Sequence, residues 1–139
     1  MKNFLGIGLV VLATAASTAG CNPPADYALV GSAYVPAAHG DITIEGIDKQ
    51  NILVNIVMDH LPPPEQIEVG LTHYVVWFSA VGELPARQQA LDYDAEARIG
   101  RASIPTSMLE FEVQITAEQS DNPLQPSDLL VASQKIRED

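Results

Sequence analysis

Met108-Leu109-Glu110-Phe111-Glu112-Val113-Gln114-Ile115-Thr116-Ala117 is the stretch whose pattern decides the fold. Leu109, Phe111, Val113 and Ile115 alternate with Glu110, Glu112, Gln114 and Thr116. That period of two lets a strand bury one face and wet the other, whereas a helix would scatter the same apolar residues around its circumference. The segment predicts a half-buried strand, and such a strand needs a sheet beside it.

Upstream, Gln88 to Tyr93 and Ala97 to Ile104 flank a turn at Asp94-Ala95-Glu96 and predict a hairpin that Pro105 ends. His73 to Val81 is the most apolar strand of the chain after its N-terminus. It sets Tyr74, Val76, Phe78 and Ala80 on one face and His73, Val75, Trp77 and Ser79 on the other, so one face is core and the other needs a cover. Pro62-Pro63-Pro64 cannot join a ladder and marks a crossing loop between Leu61 and Gly70. Ile52 to Asp59 places Ile52, Val54, Ile56 and Met58 toward the core, and the turn Asp48-Lys49-Gln50-Asn51 joins it to Asp41–Ile47 as a hairpin. Tyr27 to Val35 is a first strand ended by Pro36 and the Gly40 turn. Downstream, Ser120 to Asp128 is a loop and Leu129 to Ile136 a last strand. Seven or eight short strands without a helix favour an all-β fold, an antiparallel β-sandwich of immunoglobulin-like kind. Trp77 on a central strand is reminiscent of the core tryptophan of such domains, although one cysteine cannot make their disulfide.

The N-terminus is of a different kind. Lys2 precedes the apolar run Phe4–Ala13, and small residues lead to Thr18-Ala19-Gly20-Cys21, which holds the sole cysteine. This is the n-region and h-region layout of a secretory signal. An uncleaved membrane helix competes with that reading, but the strongly apolar part is shorter than the roughly 20 residues a bilayer demands. Ordinary cleavage near Ala15 or Ala19 also competes, and it would leave a free thiol in an oxidising compartment.

Thr18-Ala19-Gly20-Cys21 resembles the lipobox of bacterial lipoproteins, matching at Ala19, Gly20 and Cys21 and departing at Thr18, where that family usually has Leu. The resemblance implies cleavage before Cys21 and its acylation by palmitate-class chains. Residues 1–20 are then a signal peptide, 21–26 a lipidated tether and 27–139 the domain. Each buried methylene contributes roughly 0.8 kcal/mol, so several chains on one residue make a lasting anchor without a membrane helix. Five residues of tether reach roughly 20 Å, which holds the domain near its membrane. Asn22 stands where lipoproteins retained in the inner membrane carry Asp, which implies the periplasmic face of the outer membrane of a bacterial envelope.

Removing residues 1–20 leaves 119 residues, enough for one domain with a core. The whole chain has 18 acidic and 7 basic residues, and loss of Lys2 makes the balance 6 minus 18, or minus 12. Nucleic acid and anionic head groups repel such a surface, while a basic protein partner or divalent cations suit it. With Cys21 assigned to lipid there is no intrachain disulfide and no cysteine-based metal site.

The segments Thr72-His73-Tyr74-Val75-Val76-Trp77, Ala90-Leu91-Asp92-Tyr93 and Phe111 to Glu118, with the Pro126-Ser127 loop, resemble the extracytoplasmic β-sandwich of the anti-sigma-K factor family. The likeness covers most of Asp41 to Ile136 and implies a fold and a compartment. The chain lacks that family's cytoplasmic sigma-binding region and membrane helix, so sigma-factor inhibition is not implied.

Motifs for chemistry are sparse. Asp92, Asp94 and Glu96 have the spacing of the first calcium-loop ligands, but Ala97 and Ser103 stand where Gly and Glu are required, so a solvated turn is expected. His39, His60, His73 and Met58 are weak metal candidates, since a blue-copper site needs a cysteine thiolate. No G-x-S-x-G elbow is present, Glu110 and Glu112 read as a solvated face, and no cofactor or enzyme activity is expected. If Val75 and Trp77 fill the core, Tyr74, Val76 and Phe78 form an outer aromatic stripe, and the sheet surface near Tyr74, Val76, Phe78 and Trp77 is the expected surface for a protein partner. The expectation is a non-catalytic, lipid-anchored interaction module, with capture of a metal or small molecule as the alternative.

Overall fold

Nine strands, several of them with alternating apolar residues, build two antiparallel sheets in the computed structural model, which describes residues 25–137. The strands are β1 (Ala25–Val30), β2 (His39–Gly46), β3 (Ile52–Asp59), β4 (His73–Ser79), β5 (Arg87–Ala90), β6 (Asp92–Asp94), β7 (Ile99–Thr106), β8 (Phe111–Glu118) and β9 (Leu130–Ile136). One sheet has the order β1-β2-β3-β7-β6 and the other β5-β4-β8-β9. The only helical element among the described residues is a single turn at Pro64–Gln66, too short to cross a membrane.

The core lies between the sheets. Leu29, Ile42, Val54, Ile56, Met58, Ala102 and Ile104 come from one layer, and Tyr74, Val76, Phe78, Phe111, Val113, Ile115 and Ala117 from the other. The rings of Phe78 and Phe111 meet at 4.9 Å. Burying a side chain of this size stabilises by roughly 1.5–3 kcal/mol. Ile52–Asp59 forms with the expected bounds, and Val54, Ile56 and Met58 face inward as the alternation requires.

Four expectations change. The first strand does not run from Tyr27 to Val35: β1 stops at Val30, and Gly40 is no turn but lies inside β2, paired with Leu29. Gln88–Tyr93 is not one strand: β5 pairs with β4 in one sheet, β6 pairs with β7 in the other, and the chain crosses between sheets at Leu91. The Leu91 N–H donates to the Tyr74 carbonyl oxygen at 2.8 Å, which fixes the crossing point. This raises the count to nine strands. Pro105 does not end its strand but pairs with Leu53 inside β7. Because β6 pairs only with Ile99–Arg101, the far side of β7 at Pro105 has no partner strand among the described residues, and there a missing donor is tolerated. Leu109 is 59% exposed, because a bend precedes β8 and the buried alternation begins at Phe111.

Candidate functional site

The two faces of β4 take the opposite roles to those the aromatic stripe requires. Tyr74, Val76 and Phe78 are core residues, so they offer no partner surface. Their register opposite Ala117, Ile115 and Val113 of β8 settles this, since those residues carry the inward face of the neighbouring strand. Val75 and Trp77 point the other way, outside the inter-sheet core, yet they too are buried. Trp77 is therefore not the core tryptophan expected of an immunoglobulin-like domain.

A polar relay runs along this outer face. Trp77 Nε1–H donates to Thr116 Oγ1 at 2.8 Å, and the Thr116 hydroxyl donates to Glu118 Oε2. Glu118 Oε2 also accepts from the Ser127 N–H at 2.8 Å, while Ser127 Oγ donates to the Ala117 carbonyl oxygen at 2.8 Å. The side chains of Thr116 and Glu118 are buried, and every sealed polar atom among the described residues has a partner. A buried carboxylate needs such donors to offset its lost hydration.

Glu118 also lines a concavity of about 330 Å³ with Glu68, Leu71, Pro123, Ser127 and Leu129. The β8–β9 connection and the segment before β4 form its walls, anchored by Thr72 N–H to the Glu118 carbonyl oxygen at 2.8 Å. Oε2 receives both of the carboxylate's hydrogen bonds; Oε1 accepts none among the described residues. Val69 and Leu124 are almost wholly exposed, and each adjoins a lining residue in sequence. Two carboxylates on partly apolar walls can hold a cationic head on an aliphatic stem. Sequence reasoning did not single out Glu118 or Glu68 as site residues. The one available signal was the continuation of the β8 alternation past Thr116 into a glutamate on the face of Trp77.

The metal candidates separate. Met58 is wholly buried in the core. His73 lies in the other sheet from His39, with Nδ1 2.7 Å from Thr72 Oγ1. The Thr72 proton goes to the Gln119 carbonyl oxygen at 2.9 Å, so His73 Nδ1 carries a hydrogen and donates. His39 and His60 do meet, with ring centroids 5.2 Å apart and 27° between planes. Among the described residues no group of three histidine, cysteine or carboxylate side chains could hold an ion. Asp94 caps its own turn, Oδ1 accepting from the N–H groups of Glu96 at 2.9 Å and Ala97 at 3.1 Å. Glu110 is exposed in the bend before β8, and Glu112 is half-buried, accepting from Gln114 Nε2 at 3.3 Å. Thr18–Cys21 lies outside the described residues.

Comparison with protein-family models, with curated proteins and with solved structures found no match.

Proposed function

We propose that this chain is a lipid-anchored extracytoplasmic interaction module with no catalytic role, held at the periplasmic face of a bacterial outer membrane. The observation that carries the reading is Thr18-Ala19-Gly20-Cys21 at the end of an apolar N-terminal run. A thiol takes up acyl groups readily, and small neighbours leave its backbone accessible. β1 begins at Ala25, so only three residues separate Cys21 from the sheet, and the four peptide steps reach about 14 Å at full extension. The lipid supplies the membrane contact, because the acidic surface is repelled by anionic head groups.

The partner surface we favour is the concavity bearing Glu68 and Glu118, in place of the buried β4 residues. Its carboxylates and the apolar Leu71, Pro123 and Leu129 match a lysine or arginine side chain on a basic protein partner. The immunoglobulin-like reading of the sandwich rests on strand order. With β1 and β5 set aside as added edge strands, β2-β3-β7-β6 against β4-β8-β9 is the ABED against CFG order of constant-type domains. The likeness to the anti-sigma-K extracytoplasmic domain stays one of fold and compartment.

The test is fractionation and crosslinking in intact cells. Cys21→Ala should move the protein from washed membranes to the soluble fraction and remove the dominant crosslinked partner. Retention of the variant in washed membranes would overturn the lipid anchor, and a wild-type protein that crosslinks to nothing would overturn the interaction role.

A further inference from the structure

We propose that His39 and His60 form a two-histidine site for a borderline divalent transition-metal ion, with copper(II) bound most tightly. The two residues come from the first position of β2 and the first position after β3, adjacent strands whose register pairs His39 with Asp59. Both side chains are exposed, so an ion can reach them without opening the fold.

Three observations converge on a ligand. The first is spacing. Two imidazoles bound cis to one ion through bonds of about 2.0–2.1 Å place their ring centroids about 4.5 Å apart in the tetragonal geometry of copper(II) and about 5 Å apart at a tetrahedral angle, so a small rotation of these exposed rings brings both to one ion. The observed separation is 5.2 Å. The second is the partner of the remaining nitrogen. His39 Nδ1 lies 3.4 Å from the Ala37 carbonyl oxygen, within reach of a hydrogen bond that would keep the proton on Nδ1 and leave the Nε2 lone pair for the metal. Metal-ligating histidines characteristically donate their other N–H to a carbonyl or carboxylate in this way. The third is backbone preorganisation. His60 is held at φ 57°, and the next residue, Leu61, is tied by its N–H to the Arg98 carbonyl oxygen at 2.9 Å. With the backbone at this turn already held, only side-chain torsions remain to be ordered when the ion binds.

The donor set decides the class of ion. Imidazole suits copper, nickel and zinc, and copper(II) stands highest in the general affinity order, whereas magnesium and calcium prefer oxygen. The Asp59 carboxylate and the chain's formal charge of −11 raise the local concentration of any cation. With no third side-chain ligand among the described residues, water fills the remaining positions, so binding is reversible and not a condition of folding.

The full chain, purified without a polyhistidine tag, is titrated with copper(II) and followed by calorimetry and electron paramagnetic resonance. One equivalent should bind saturably, with hyperfine structure from two imidazole nitrogens and no competition from magnesium. His39→Gln and His60→Asn should each weaken binding at least about tenfold. His73→Gln, in the other sheet, should leave it unchanged. Asparagine tolerates the left-handed backbone at position 60, and unchanged thermal unfolding of each variant without metal separates ligand loss from damage to the fold. Unaltered affinity in the first two variants, loss in His73→Gln, or absence of saturable binding would each overturn the site.

Discussion

Tyr74 and Tyr93 meet edge to face, with 5.4 Å between ring centroids, and donate hydrogen bonds to consecutive carbonyl oxygens of one loop. Tyr74 reaches Pro62 and Tyr93 reaches Leu61, the latter at 2.6 Å. One tyrosine comes from each sheet, so the pair closes one end of the sandwich by pinning the loop that carries Pro62-Pro63-Pro64. Prolines cannot hold this loop by donating to a neighbour; the tyrosines hold it through its acceptors.

The same pair gives the domain an alkaline limit. Burial, then the nearby Tyr93 and Glu65, push the Tyr74 hydroxyl well above the ordinary phenol value; burial also raises Tyr93, with Arg98 opposing. A folded-state pKa above the unfolded one means that the native state holds the proton more tightly. The resulting stability is complete below pH of about 10, where unfolded tyrosine titrates, and is lost as pH rises further. Urea midpoints should be flat from neutrality to pH 9 and fall beyond 10. Tyr74→Phe should weaken that fall while lowering stability at neutral pH by about 1 kcal/mol for the lost hydrogen bond. An equally steep alkaline decline in the variant would assign it to other groups.

Thr116 sits between a donor and an acceptor that depend on it. Thr116→Val keeps the shape but strands the Trp77 N–H and removes a donor from the Glu118 carboxylate, so it should destabilise by about 1–3 kcal/mol. Thr116→Ser retains the hydroxyl and should recover most of the loss. Equilibrium unfolding followed by Trp77 fluorescence measures both, and equal stability of the valine variant would show the relay to be energetically idle.

Gly40 is required by a close approach. A Cβ there would stand 2.1 Å from the Val57 carbonyl oxygen and 2.8 Å from Met58 Sδ, and the first of these is backbone that cannot swing aside. Gly40→Ala should cost about 3 kcal/mol or more, read as a lowered melting temperature and a smaller soluble yield.

Local alternation carried much of the fold. Ile52–Asp59 was legible because its neighbours on both sides bury the same face, leaving one consistent pattern. Leu91 shows the limit. A strand that leaves one sheet and joins the other keeps the spacing of a single strand, and only the hydrogen bond to Tyr74 reveals the crossing. Pro105 was misread for a related reason, since its tolerance depends on how far β6 extends, which is a property of the sheet and not of the residue.

The site was less legible, for a physical reason visible in β4. Tyr74, Val76 and Phe78 are apolar, but so are Val75 and Trp77, and an alternation with two apolar phases cannot say which one faces inward. Pairing with β8 breaks the tie, because Val113, Ile115 and Ala117 have polar alternates and their phase is fixed. Glu118 and Glu68 share a cavity wall only after the chain has folded, and the approach of His39 to His60 depends on the β2–β3 register.

Charge reversal at Glu68 tests the partner surface without touching the fold. Glu68 is exposed, so Glu68→Lys should change stability by no more than about 0.5 kcal/mol. It places a cation beside Glu118 at the position proposed for a partner's basic side chain. Association with a basic partner should slow and lose its dependence on salt, because rim charges act chiefly on encounter. In cells the crosslinked partner should fall several-fold while Glu68→Gln gives an intermediate yield, a gradation that steric damage alone would not produce. An unchanged yield in Glu68→Lys would move the contact surface away from this concavity and leave the lipid anchor, tested separately at Cys21, untouched.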